Sequence, residues 1–484
     1  MKSFSAVLFI ITTLSLLIVK TDSVYGKSHE QPQNFDTQYY KFRVFIKDKG
    51  HNECTLTDPS HFLTEKAIER KKIQGVVIDE RDLPISKDYF NLIEKAGCKV
   101  VSHSKWFSTI VVRVSDSLKI NNIKSLSFVD SVQYVWRGSV GNYKKSLRPR
   151  LDHFITDEEF PLDTIYGYCE PQFKMHNATI LHESGYRGKG IEVGVIDAGF
   201  TNFDVIPAFS TTNFLGYTDF VPEGDIFSSS SHGTKVLSTM AVDLPGLMVG
   251  SAPEASYYLL RSEDSKSEFP VEEDYWVRAI EYADSIGLDI INTSLGYSHF
   301  DDKALSYTHN DLNGEVSIMS RAADLAFEKG MIVIVSAGNE GEDEWQKSTP
   351  PADAKNVIAV GAVSTDSVIA PFSSHGFMAD GRIKPDLVSV GRRTITIGED
   401  GTIGRTNGTS LSSPFLAGLI TSLWSVNPEL HRSKLLDIII KSADRYENPD
   451  TVYGYGIPDF QKALREVEKT LLIDQILENQ TEKK

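Results

Sequence analysis

Three side chains that together could break an acyl bond stand far apart in this sequence of 484 residues. Asp197 follows directly on the apolar run Val193-Gly194-Val195-Ile196. His232 opens His232-Gly233-Thr234 after the polar loop Ser228–Ser231, and Ser410 sits in Gly408-Thr409-Ser410 ahead of an apolar stretch. Taken singly, each has an ordinary structural reading as a turn residue or helix cap. As a set they supply a nucleophile, a base and an orienting group. A serine hydroxyl is a poor nucleophile until a base removes its proton, and histidine is the base suited to neutral pH. The imidazole has to be held in one tautomer, which a buried carboxylate does by accepting its Nδ1 hydrogen. Asn339 adds a fourth part: it ends Ser336-Ala337-Gly338-Asn339, and its amide can donate to a developing oxyanion together with the Ser410 backbone N–H. The position of Ser410 at a helix N-terminus places the positive end of the dipole on the same charge.

These residues need a scaffold, and the hydrophobic pattern describes one. Unbroken apolar runs predict strands at Glu192–Ile196, Tyr257–Leu260, Ile290–Thr293, Ile332–Val335 and Val357–Val360. Helices are predicted at Gly233–Val242, Val271–Ile286, Val316–Glu328, Leu411–Trp424 and His431–Ala443. Apolar strands separated by helices imply a parallel sheet covered on both faces, with ligands at the carboxyl ends of the strands. Asp197 and Asn339 both stand at such ends.

A different pattern precedes this region. Lys2 and the sixteen-residue apolar run Phe4–Val19 read as a signal peptide over residues 1–26, too short for a comfortable membrane span. Residues 27–137 read as a small domain. Phe42, Val44 and Ile46 alternate as one strand face, and Asp58-Pro59 opens a helix through Ile73. A second helix covers Lys87–Ala96, followed by strand Ile110–Val114, a short helix carrying Ile120 and Ile123, and strand Ser131–Trp136. This approximates a ferredoxin-like β-α-β-β-α-β unit with an extra helix. Residues 138–168 form a polar linker with a basic run, Lys144, Lys145, Arg148 and Arg150.

Charge divides along the same boundary. The whole chain carries −16, but residues 27–150 hold 22 basic and 14 acidic side chains, and residues 151–484 hold 26 and 51. Net values of +8 and −25 suggest two parts that attract one another. Overall acidity argues against a nucleic-acid partner. Three cysteines, with no Cys-x-x-Cys pair, exclude a disulfide-dense scaffold and a zinc site of that spacing.

The chemical residues lie in stretches that resemble the subtilisin-like serine proteases, or subtilases. These stretches are Val195-Ile196-Asp197-Ala198-Gly199, Ser231-His232-Gly233-Thr234, Ser336-Ala337-Gly338-Asn339-Glu340-Gly341 and Asn407-Gly408-Thr409-Ser410-Leu411-Ser412-Ser413-Pro414. The order Asp, His, Ser is also the subtilisin order. The resemblance covers about Tyr168–Lys462. It implies an α/β fold: a doubly wound, mainly parallel sheet over residues 169–463, preceded by a small α/β prodomain. It implies a secreted serine endopeptidase, with Asp197, His232 and Ser410 as triad and Asn339 as oxyanion donor. Ser294, Leu295 and Gly296 would bind extended peptide backbone. Protein or peptide substrates are implied, with the prodomain as intramolecular inhibitor and self-cleavage in the 138–168 linker. Once the signal is removed, no stable membrane insertion is expected.

Departures from the family pattern are Ala198 for the usual hydroxyl residue, Lys235, Leu411 and Phe415. No cofactor is expected for the chemistry. Structural calcium is compatible with the resemblance, and Asp219, Glu223 and Asp225 have suitable oxygen ligands, but no spacing names a site. The acids Glu340, Glu342, Asp343 and Glu344 could select basic substrates, or simply form a solvated loop. Residues 464–484 read as a C-terminal helix and polar tail. Two other functions stay open at this point: a catalytically silent relative serving as a secreted binding protein, and a serine esterase. The latter lacks the closing Gly of a Gly-x-Ser-x-Gly elbow, since Ser412 stands there.

Overall fold

A computed structural model describes residues 38–51, 53–139 and 164–481. The signal segment and most of the linker, with its basic run, lie outside the described residues.

The N-terminal unit is built on a four-stranded antiparallel sheet. Its strands are β1 (Gln38–Ile46), β2 (Lys99–Ser104), β3 (Thr109–Val114) and β4 (Val129–Ser139), in the order β2-β3-β1-β4. Helices α1 (Glu65–Ile73), α2 (Lys87–Lys95) and α3 (Ile120–Lys124) join them. The sequence reading passes over β2, which is only partly apolar, and starts α1 too early. Pro59–His61 is a separate 3₁₀ turn, and α1 begins after Thr64, whose side chain accepts the Ala67 N–H as N-cap. The β4 strand runs to Ser139, two residues past the expected end of the domain.

The C-terminal unit contains a seven-stranded sheet with every neighbouring pair parallel. Its strands are β5 (Glu192–Asp197), β6 (Asn213–Asp219), β7 (Ser256–Arg261), β8 (Ile290–Thr293), β9 (Ile332–Ser336), β10 (Ile358–Val363) and β11 (Leu387–Val390). The spatial order is β11-β10-β9-β8-β5-β7-β6. From β5 the chain runs out to the edge strand β6, returns to β7 between β6 and β5, then crosses to β8 and winds outward on the other side. The β5/β8 boundary is therefore the topological switch point, where a doubly wound sheet opens a crevice at its carboxyl edge. Five helices cover the sheet or its edges: α4 (His232–Ala241), α5 (Val271–Ile286), α6 (Ile318–Glu328), α7 (Thr409–Trp424) and α8 (Arg432–Ser442). Strands β6 and β11 were not anticipated. The first is an edge strand whose Phe214, Leu215 and Tyr217 are exposed, and Asn213, Gly216, Thr218 and Asp219 break up its apolar residues.

Helix α9 (Phe460–Thr481) is not simply a tail, because Phe460, Ala463, Leu464 and Val467 are buried in the main core. Residues 164–168 also belong here rather than to a linker, since Tyr166 is buried in the same core.

The two units meet along α5. Val111, Val135 and Trp136 pack with Val271 and Tyr275, and Trp106 is buried beside Trp276 and Ile280. Around these apolar contacts runs a set of enclosed polar ones. Arg43 donates twice to Asp274, at 2.6 and 2.9 Å, and Lys41 donates to the Tyr275 hydroxyl at 2.9 Å. The Glu281 carboxylate accepts the backbone N–H groups of Lys105 and Trp106 and the Ser104 hydroxyl. Asp284 accepts from Arg70 at 2.5 Å and from Lys71 at 2.6 Å. Burial alone would raise the pKa of Asp284, but the charges of Lys71 and Arg70 outweigh it and hold the pKa below the usual carboxylate value. Thr64 caps the far end of α5, its N–H donating to Ser285 O and its hydroxyl to Ile286 O, each at 2.9 Å. The polarity is reversed at one point, where Lys329 reaches Asp79 and Asp82 of the N-terminal unit. The charge split along the sequence is thus matched by specific pairs.

Removing Asp284 would leave Arg70 enclosed without a counter-charge and Lys71 with only the longer contact to Asp82, at 3.7 Å. Asp284→Ala is expected to destabilise the uncut chain by about 3–5 kcal/mol, measured as a shift of the urea midpoint. Glu315→Ala, which breaks the exposed pair with Lys355, is the control and should shift it little.

Candidate active site

The carboxyl ends of β5, β8 and β9 and the N-termini of α4 and α7 converge on one pocket of about 330 Å³. Each predicted residue arrives there for a local reason. Asp197 is the last residue of β5, at the switch point, and its side chain is fully buried. Its Oδ1 accepts the Ala198 N–H at 2.8 Å and faces His232 Nδ1 at 2.8 Å. Its Oδ2 has no partner among the described residues.

His232 begins α4, and its side chain remains 38% exposed toward the pocket. The approach of α4 to the Asp197 turn depends on two glycines. Gly233 N–H donates to Gly199 O at 3.0 Å, and a Cβ on Gly233 would lie 2.5 Å from that oxygen. Burial would lower the pKa of His232, but the charge and hydrogen bond of Asp197 outweigh it, and the pKa lies above the ordinary value. The imidazole therefore takes up a proton more readily than a free histidine.

Ser410 lies in the first turn of α7, where backbone N–H groups have no intrahelical acceptor. Gly408 precedes this helix at φ 148°, a conformation that side chains disfavour. A ladder of polar contacts ties the turn to the end of β8. Ser413 donates to Asn292 Oδ1 at 2.7 Å, Asn292 Nδ2 donates to Ser294 Oγ at 3.3 Å, and Ser294 Oγ donates to Ser410 O at 2.9 Å. The Ser410 hydroxyl donates to Ser294 O at 3.4 Å. Among the described residues it makes no hydrogen bond to His232, although both side chains line the pocket. Such contacts are often loose without substrate.

Asn339 follows β9 by three residues and is exposed at the pocket. Its Oδ1 accepts both the N–H and the hydroxyl of Thr409, at 2.9 and 3.0 Å. With the oxygen committed, Nδ2 is left as the donor end of the amide. Ser294, Leu295 and Gly296, directly after β8, line the same pocket.

Three further pocket residues differ from expectation. Glu340 lines the pocket, but Glu342, Asp343 and Glu344 are exposed away from it, and Trp345 is buried beside Leu312 and Met378. Most of that acidic stretch is a solvated loop. Glu263 and Glu268, which the sequence reading missed, line the pocket instead. Glu263 lies two residues past the carboxyl end of β7, the same kind of position that singled out Asp197. The oxygen ligands considered for calcium are otherwise engaged: Asp219 by Arg261, Glu223 by Arg113, and Asp225 by Phe227 N and Ser228 Oγ. Among the described residues no group of three or more His, Cys, Asp or Glu is arranged to hold a metal ion.

Comparison with known proteins agrees with this geometry. The Subtilase family profile matches residues 188–456, more than half of the chain. The Peptidase S8 propeptide domain, Bacteroidota, matches residues 41–150. Subtilisin E of Bacillus subtilis strain 168 is 30% identical over 377 residues, covering 77% of this chain and 85% of that protein. The Major intracellular serine protease of the same organism is 28% identical over 297 residues, covering 59% and 83%. Serine protease AprX, also from that organism, is 27% identical over 300 residues, covering 56% and 65%. The chain belongs to the subtilase family and is a serine endopeptidase carrying its own propeptide domain.

Proposed function

We propose that the protein is a secreted endopeptidase, made as a precursor that cuts itself, and that Asp197, His232 and Ser410 carry out the reaction. The observation that carries this reading is the 2.8 Å contact of buried Asp197 with His232 Nδ1, on a pocket that also holds Ser410 and Asn339. In this reading the Ser410 hydroxyl exchanges its contact with Ser294 O for one with His232 Nε2. The Oγ then attacks the scissile carbonyl while Nε2 takes its proton. Asp197 keeps the Nδ1 hydrogen in place and stabilises the imidazolium. The carbonyl oxygen becomes an oxyanion, held by Asn339 Nδ2 and the Ser410 N–H at the helix N-terminus. His232 returns the proton to the leaving amine, giving an acyl-enzyme, and water completes hydrolysis by the reverse sequence. Peptide substrates align along Ser294–Gly296 as an added strand.

The N-terminal unit is the intramolecular inhibitor in this reading. Support comes from its buried pairing with α5 and from β4, which ends at Ser139 beside Asp264 and Ser265 near the pocket. Secretion rests on the N-terminal sequence pattern. Among the described residues no helix is long and apolar enough to cross a membrane.

Expression of Ser410→Ala is expected to accumulate uncut precursor, with N-terminal sequencing showing the residues before the linker still attached. Normal processing of that variant would overturn self-cleavage. Asp197→Asn should lower kcat by on the order of 10⁴, because the imidazole loses its tautomer and its counter-charge. The base must be neutral to act and its pKa is raised. The acid limb of kcat/KM in the unmodified enzyme should therefore have its midpoint above about 6.5. In subtilisin one oxyanion donor is worth about 10²–10³ in turnover, so Asn339→Ala should lose that much in kcat with little change in KM.

A further inference from the structure

Of the charged side chains lining the active pocket, Glu263, Glu268 and Glu340 are acids, and neither Lys nor Arg is among the lining residues. Glu340 is committed, since its Oε2 accepts the Ser374 hydroxyl at 2.7 Å. The other two make no direct hydrogen bond or ion pair among the described residues, although the charges of His232 and Arg261 reach Glu263. Arg261 is committed elsewhere, donating to both oxygens of Asp219 and to Ala198 O.

Their loop is held rather than loose. Glu272, at the start of α5, accepts the N–H groups of Asp264 and Phe269 at 2.7 and 3.1 Å and so cinches the loop at both ends. Asp301 accepts the Glu268 N–H at 3.2 Å and returns its own N–H to Glu268 O at 2.9 Å. The result is two fixed carboxyl groups, neither directly paired, lining a pocket that contains His232 and Ser410. Burial first, and the nearby Asp197 charge second, push the Glu263 pKa up to about 7. Burial and then the charges of Glu263 and Asp301 push Glu268 up to about 8. Such groups are relieved by a cation arriving between them.

The chain supplies a sequence of that chemistry. Lys144, Lys145, Arg148 and Arg150 follow β4 within eleven residues of Ser139. Ser139 itself lines a cavity together with Asp264 and Ser265, next to Glu263 in the loop.

We propose that Glu263 and Glu268 form a recognition site for a lysine or arginine side chain of the peptide substrate, and that the basic run 144–150 is its first substrate in cis. This rests on the protease reading given above. It assigns specificity to the loop after β7 rather than to the acidic stretch after Asn339.

The test uses the processed enzyme and otherwise identical fluorogenic peptides carrying Lys, Leu or Glu at each of the four positions before the cut bond. At one position Lys is expected to exceed Leu in kcat/KM by about 10- to 100-fold, with Glu poorest and the preference weakened by added salt. Glu263→Gln and Glu268→Gln should each lower that ratio, and the double variant should bring it near one. Glu263→Lys should move the preference toward Glu. Glu342→Gln, in the exposed loop, should keep the original ratio. Equal rates on Lys and Leu peptides at all four positions, with Ser410 still labelled by a fluorophosphonate, would overturn the proposal and leave the protease reading intact. A preference that survives the double variant would overturn it as well. Absence of both labelling and peptide turnover would remove the reading beneath it, and the proposal with it.

Discussion

A carboxylate with no solvent exposure can stay charged only if the fold brings it donors, and Asp197 is that constraint here. Its two donors, the Ala198 N–H and His232 Nδ1, come from opposite ends of the 35-residue stretch that joins them. To deliver the second, the chain must leave β5, build β6 and a serine-rich loop, and start α4 against the Asp197 turn. Gly199 and Gly233 permit that contact, and the switch point beside β8 provides the crevice into which the imidazole faces. The remaining parts are fastened to the same edge by short polar links: Ser413 to Asn292 to Ser294 to Ser410, and Thr409 to Asn339. None of these links needs a long side chain, so little rotamer freedom is lost in forming them. The second oxygen of Asp197, Oδ2, has no partner among the described residues.

The junction between the two units follows a different logic. Its apolar part, around Trp106, Trp276, Val111 and Tyr275, resembles an ordinary domain core. Its charges are almost fully enclosed, with side-chain exposure of 4% or less for Arg70, Lys71 and Asp284. Enclosed ion pairs add little net affinity over apolar contacts, but they strongly penalise wrong partners and wrong registers. The pairing therefore selects one docking geometry.

Much of this was legible in the sequence, and the exceptions share physical causes. Helix α5 carries its own punctuation, Pro270 before it and Gly287 at φ 94° after it, so both ends agree with the sequence reading. The inner strands β5, β8 and β9 read as apolar runs because both of their faces are covered. Edge strand β6 did not, since Gly216, Thr218 and Asp219 break up its apolar residues. The pocket residues Asp197, His232, Ser410 and Asn339 stood out because each adjoins a strand end or helix start. Glu263 and Glu268 sit in a polar loop whose composition resembles any solvated turn. Contacts from Glu272 and Asp301 hold that loop, and contacts of that kind leave no local pattern. The opposite error arose after Asn339, where a dense acidic run suggested a site and proves mostly to face solvent.

Asp274, Glu281 and Asp284 all lie on α5, the last two seven and ten residues after the first, and all three accept hydrogen bonds from the N-terminal unit, Asp284 through Oδ1 alone. The last turn of the same helix is capped by Thr64. Detachment of that unit would strip one helix of its counter-charges and its cap in a single event. The bare helix would then be an anionic stripe ending in unpaired carbonyls, where the macrodipole is already negative. A free protease of this design would carry a standing electrostatic affinity for its severed partner, and degradation of the fragment, rather than dissociation alone, would set the moment at which the cleft becomes open to others.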